Sequence, residues 1–98
     1  MKNKEITKAD KDALFEAIAA LKNKDEARDF FKDLCTPAEL EALIDRWRVV
    51  HLLIDENPYR KIAQETGVSV TTVGRVAKCL FAKTSGYKVI LKRLGVLT

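Results

Sequence analysis

Thr71, Thr72, Arg75 and Lys78 lie at spacings that an α-helix turns into neighbours on one face. Their functional groups are those that read a DNA groove. An arginine bridges O6 and N7 of guanine, a threonine meets a thymine methyl or a phosphate, and a lysine neutralises a phosphate.

Such a face is useful only if the helix beneath it is held at a fixed angle, and the surrounding run from Tyr59 to Leu80 has the layout to do that. Gly67 sits where two short helical patterns meet, and glycine takes the positive φ that ends a helix and turns the chain sharply. Ser69 then stands where an N-cap is needed for a helix from Val70. Before the turn, Ile62 and the small Ala63 offer an apolar contact and a point of close approach. After it, Val68, Val73 and Val76 supply the opposing face. The run at about 59–80 therefore reads as a helix-turn-helix. An ordinary αα-hairpin with a solvated polar face shares the glycine turn but does not require the small residue and both apolar sets together.

The chain has 98 residues, room for one small domain (1–98), with 47% hydrophobic and 33% charged residues. That balance is globular rather than disordered. The net charge of +4 conceals an asymmetry. Residues 1–56 carry 10 Lys and Arg against 13 Asp and Glu, net −3, whereas residues 57–98 carry 8 against 1, net +7. The basic half coincides with the helix-turn-helix, as a phosphate-binding surface requires. Cys35 and Cys79 are 44 positions apart with no third thiol or nearby histidine. They suggest neither a zinc site nor a disulfide, and are expected to be reduced and partly buried. No metal and no cofactor is expected. The start M-K-N-K-E-I-T has no apolar core of a signal peptide and no stretch reaches the length of a membrane span. The expected location is the cytoplasm, associated with the nucleoid through DNA, with no membrane partner.

Four further segments read as helices. Thr7 caps the first, which carries Leu14, Phe15, Ala17, Ile18 and Leu21 on one side; Ala27, Phe30, Phe31 and Leu34 mark a shorter second. Thr36-Pro37-Ala38-Glu39 combines an N-cap, a proline at the first helical position and a glutamate placed to close a capping box. The long helix that follows has Leu40, Leu43, Ile44, Trp47, Val50, Leu53 and Ile54 on its main apolar face. Val49 and Leu52 spread apolar surface around its second half. So much apolar surface in so short a chain predicts a homodimer built on this helix and the first two. Trp47 is expected in the core. Asn57-Pro58 ends the long helix, and Tyr87 to Leu94 forms the last, decorated by Lys88, Lys92 and Arg93.

With six helical segments and T-P-A-E-L-E-A-L-I-D-R-W-R-V-V ahead of the helix-turn-helix, the chain resembles the Trp repressor family over roughly residues 8 to 94. The ending S-G-Y-K-V-I-L-K-R-L is similar to its bacterial YerC/YecD branch. The resemblance implies an all-α, six-helix fold, an intertwined homodimer, and two heads entering successive major grooves of double-stranded DNA. Val70, Thr71, Thr72 and Arg75 would face the DNA and Arg60 would approach phosphate. With Lys61, Ser69 and Lys78 they complete the candidate DNA-binding set. The family's tryptophan-responsive member grips its ligand with two arginines, and both positions are arginine here, Arg46 and Arg75. A pocket glycine is replaced by Val76 and a ligand-binding serine by Cys79. The branched bulk and the poor ammonium partner predict no tryptophan binding. Arg46, Arg75, Val76 and Cys79 remain the candidate pocket for an unidentified small-molecule effector, with Arg46 equally suited to pairing with Asp45 or Asp55. Gly74 stands where that member has threonine, and Thr71 replaces a small apolar residue, so the operator should differ.

An enzyme is the poorer reading. The sole histidine, His51, lies in the long apolar helix with no patterned nucleophile beside it, and no Gly-rich phosphate loop is present. The expected function is a sequence-specific DNA-binding transcriptional regulator, a repressor that does not answer to tryptophan. The alternative is a protein-interaction module whose basic face docks an acidic partner or the transcription machinery.

Overall fold

The structure, a computed structural model, describes residues 4–98, so the first three residues of the N-terminal run lie outside it. It is all helical, in the order α1 (Lys8–Ala19), α2 (Lys24–Leu34), α3 (Pro37–Ile54), α4 (Tyr59–Thr66), α5 (Val70–Leu80) and α6 (Gly86–Arg93). The chain divides into two compact units, one ending at Leu40 and the other Glu41–Thr98, with α3 running through the boundary.

The N-terminal unit is defined by its caps more than by a core. Thr7 Oγ1 accepts from the Asp10 N–H at 3.1 Å while the Asp10 carboxylate accepts from the Thr7 N–H at 2.9 Å, a closed capping box. Those hydrogen bonds hold the Asp10 carboxyl below its ordinary pKa. Thr36 and Glu39 make the same reciprocal pair at 2.9 and 3.1 Å, lowering the pKa of Glu39 for the same reason. Asn23 caps α2 by accepting from the Glu26 N–H, although the run Lys22 to Lys24 reads in sequence only as a break. No residue of α1 or α2 is buried, and Phe15, 61% exposed, and Leu34 present apolar surface to solvent.

The C-terminal unit holds the core. Val49, Val50 and Leu53 of α3, Ile62 of α4, Val73, Val76, Ala77 and Leu80 of α5, and Leu91 of α6 form one buried cluster. Each such side chain contributes roughly 1.5–3 kcal/mol relative to exposure, with alanine contributing less. The second half of α3 is therefore covered by its own chain: Val49 is sealed, and Leu52 is half-buried against the cluster. The surplus apolar surface of α3 lies instead on Leu43 and Ile44, near its start. Trp47 packs against the cluster without being enclosed, its ring edge-on to His51 at 4.9 Å and tilted against Tyr87 at 6.1 Å. Of the two free thiols, Cys35 is half-buried as expected and Cys79 is exposed. Cys79 falls on the solvent side of α5, adjacent in sequence to buried Leu80 but a helical step of about 100° away.

α3 ends where Asn57-Pro58 predicts, through a device that the sequence does not advertise. Glu56 adopts φ 62°, the left-handed conformation, and Asn57 donates to the Leu52 carbonyl from its backbone N–H at 3.1 Å and from Nδ2 at 3.0 Å. A side chain at left-handed φ crowds the carbonyl oxygen, at a cost of roughly 1–2 kcal/mol. Glu56→Gly is therefore expected to stabilise the protein by about 1 kcal/mol, after the greater freedom of glycine in the unfolded chain is deducted. A higher urea midpoint at unchanged m-value is the expected result; a lower midpoint would show that the glutamate side chain itself supports the joint.

Candidate nucleic-acid interface

α4 and α5 are joined through Gly67, Val68 and Ser69. Gly67 takes φ 76° and its N–H donates to the Ala63 carbonyl at 2.9 Å, closing α4. Thr66 locks the corner. Its hydroxyl donates to the Ile62 carbonyl at 2.7 Å and accepts from the Val68 N–H at 3.2 Å. Ser69 opens α5 by accepting from the Thr72 N–H at 3.1 Å, and its hydroxyl donates to Thr72 Oγ1 at 3.0 Å. Opposing faces then meet: Ile62 and Val73 are both sealed in the buried cluster, and Val68 packs against it.

With that edge of α5 fixed, Val70, Thr71, Arg75 and Lys78 stand on the exposed side. Ser69 is exposed too, with its hydroxyl engaged in the cap. Thr72 differs from the other outer-face residues: it is half-buried and its hydroxyl is already bonded to Ser69. On α4, Arg60 is exposed, and Lys61, also exposed, lies 3.9 Å from Glu65 across one helical turn, a weak surface pair. Lys88 of α6 is occupied locally, donating from Nζ to the Ala82 carbonyl at 3.3 Å, while Lys92 and Arg93 are exposed.

The angle of α4 also has a brace that the sequence did not reveal. Arg48 of α3 reaches the Glu65 carbonyl in the last turn of α4, Nη2 to O 3.4 Å, and pairs with Asp45 at 3.3 Å. A cation at a helix C-terminus complements its partial negative charge. The contact joins residues 17 positions apart, a separation at which periodicity within one helix carries no signal.

A cavity of about 240 Å³ opens between α3, α5 and α6, lined by Arg46, Thr72, Arg75, Val76, Cys79 and Tyr87. The four candidate effector residues are thus brought together, and Thr72 and Tyr87 join them. Asp45 bonds to Arg48 instead of Arg46, and neither Arg46 nor Arg75 has an ion-pair partner among the described residues. Two guanidiniums without a carboxylate favour an anionic occupant. Val76, only 5% exposed, both walls the cavity and belongs to the core. Thr72 and Arg75 are shared between cavity and outer face. A second, more open cavity of about 330 Å³ is lined by Trp47, Arg48, His51, Leu52 and Glu65. Among the described residues no group of His, Cys, Asp or Glu is arranged to hold a metal ion, and no helix is long and apolar enough to cross a membrane.

Comparison with known proteins agrees with this architecture. The family model described as Trp repressor protein matches residues 9–95. The chain is 41% identical over 83 residues to the uncharacterized protein YerC of Bacillus subtilis (strain 168), spanning 85% of this chain and 80% of that one. It is 32% identical over 81 residues to a Trp operon repressor homolog of Chlamydia caviae, spanning 82% and 80%. The crystal structure of a TrpR-like protein from Eubacterium eligens superposes with a TM-score of 0.80 at 41% identity over 94% of each chain.

Gly74, in the middle of α5, has no steric need to be glycine within the chain. A Cβ built there would meet only Tyr59 Cε2, at 4.0 Å, an ordinary contact. Gly74→Ala is expected to stabilise the protein by about 1 kcal/mol through helix propensity, seen as a raised urea midpoint. A lowered midpoint would show that packing of α4 on α5 requires the bare backbone.

Proposed function

This chain belongs to the Trp repressor family, and on that premise we propose that it is a sequence-specific DNA-binding transcriptional regulator, a repressor, that acts as a homodimer without tryptophan. The observation that carries the reading is the two-sided character of α5. One edge is sealed in the core by Val73, Val76, Ala77 and Leu80, and the other presents Val70, Thr71, Arg75 and Lys78 to solvent. The rigid edge sets the angle and the free edge enters the major groove. Arg60 and Lys61 on α4 flank it with charge for the phosphates, Ser69 and Thr72 fix the N-terminus of the reading helix, and the net charge of +7 on residues 57–98 draws the surface to DNA.

The homodimer is supported by apolar surface that the chain leaves uncovered: Leu14, Phe15 and Leu34 on the first two helices, and Leu43 and Ile44 on α3. A second copy would bury them by an isologous contact. Independence from tryptophan is supported by Val76, whose branched side chain is already part of the core where it walls the two-arginine cavity, and by Cys79, a weak hydrogen-bond partner for an ammonium. Arg46 and Arg75 remain suited to a smaller anionic effector.

The deciding experiment is selection of duplex DNA from sheared bacterial genomic fragments by the purified protein at physiological salt with no ligand added. The expected result is a roughly two-fold symmetric motif; weak, salt-sensitive binding without a motif would point to a protein partner for the basic face. On the selected duplex, Arg75→Ala is expected to weaken binding by roughly 1–3 kcal/mol while random duplex changes little. An equal loss on both would make Arg75 a phosphate contact. Adding tryptophan is expected to leave the binding isotherm in place, and a shift to tighter binding would restore the corepressor mechanism.

A further inference from the structure

Tyr59 is the first residue of α4 and is 44% exposed, and it belongs neither to the buried cluster nor to the partly buried side chains packed on it. Its ring nevertheless has a definite place. Cε2, the ring carbon next to the one bearing the hydroxyl, lies 4.0 Å from where a Cβ on Gly74 would stand. The far end of the ring is thus beside the midpoint of α5, where the absent side chain at position 74 leaves space. Gly74 is three residues after Thr71 and four before Lys78, the spacings that put residues on one side of a helix. The phenol is therefore delivered from α4 to the edge of the same exposed face. The side-chain hydrogen bonds of this corner run among Thr66, Ile62, Val68, Ser69 and Thr72. None of them, among the described residues, engages the Tyr59 hydroxyl.

We propose that Tyr59 is a DNA contact of the reading head, its hydroxyl donating to a backbone phosphate beside the groove that α5 enters. The inference rests on the DNA-binding reading above and adds to it a residue from the first helix of the pair, in the space that Gly74 leaves on the second. A phenol suits this position: it donates a directional hydrogen bond to phosphate, and its ring has few rotatable bonds to immobilise. It adds no positive charge. Tyr59 thus fixes the register of α5 on the duplex without reading a base, the role of phosphate contacts generally.

The neutrality of the group provides the test. Tyr59→Phe removes the hydroxyl and keeps the ring beside Gly74. Binding of the full-length protein and the variant to the selected duplex and to a shuffled duplex would be titrated over a series of salt concentrations, with thermal unfolding as the control for folding. The expected result is a Kd raised about tenfold on both duplexes, a hydrogen bond to a charged group being of that order. The dependence of log K on log salt should keep its slope, since no counterion is released by a phenol. Arg60→Ala serves as the contrast, lowering that slope by about 1 for each phosphate contact it loses. Wild-type affinity in Tyr59→Phe, a loss confined to the selected duplex, or a lowered unfolding temperature that accounts for the loss would each overturn the assignment. If the unaltered protein binds neither duplex, the failure belongs to the DNA-binding reading itself.

Discussion

Val73, Val76, Ala77 and Leu80 keep one edge of α5 out of water, and the direction of every side chain on its other edge follows from that. A helix advances by about 100° per residue, so a register slip of one residue would drive Lys78 or Arg75 toward Ile62 and Leu91 and lift a valine into solvent. The cost would be several kcal/mol from lost apolar burial and buried charge together. This constraint holds α4 and α6 against α5, and it extends to α3 through Val49, Val50 and Leu53. Arg48 and the hydroxyls of Thr66 and Ser69 refine the angle with a few directional contacts. The packing determines which face is presented, and the hydrogen bonds determine where its ends lie.

Much of this is local chemistry, and local chemistry is legible. Thr7, Thr36 with Pro37 and Glu39, Gly67 and Ser69 each mark a helix end by what a side chain or a free φ does within three or four residues. All six helices and the residues on the outer face of α5 could be read in this way. The distribution of burial around α3 could not. An amphipathic pattern states how much apolar surface a helix carries, but not which neighbour covers it, and Val49 is sealed by this chain while Ile44 is not. The same limit hid the half-burial of Thr72, the brace from Arg48 to Glu65, and the meeting of Tyr59 with Gly74. Each of these depends on how two elements cross. The left-handed Glu56 escaped for another reason: its residue type argues against the conformation, which occurs here beside the paired hydrogen bonds from Asn57 to the Leu52 carbonyl.

The two-arginine cavity and the outer face of α5 are not independent surfaces. Thr72 and Arg75 belong to both, and Val76, one residue on, belongs to both cavity and core. If α5 reads DNA as proposed above, an anion drawn to Arg46 and Arg75 would compete with DNA for the Arg75 guanidinium or fix its direction, and charge placed there would couple to the outer face through one side chain. Coupling of this kind needs no long pathway. The extra methyl groups of Val76, relative to a smaller residue, form part of the cavity wall and are at the same time packed into the core.

Helices of the length of α1 and α2 are marginal in water on their own, and here they have well-formed caps but not one buried side chain. Their persistence is therefore tied to whatever covers Phe15, Leu14 and Leu34. If that cover is a second copy, folding of the N-terminal unit and assembly become a single equilibrium governed by mass action. The supply of competent protein then rises faster than in proportion to the amount synthesised, so a cell could set a threshold for control of its genes simply through how much of this chain it makes.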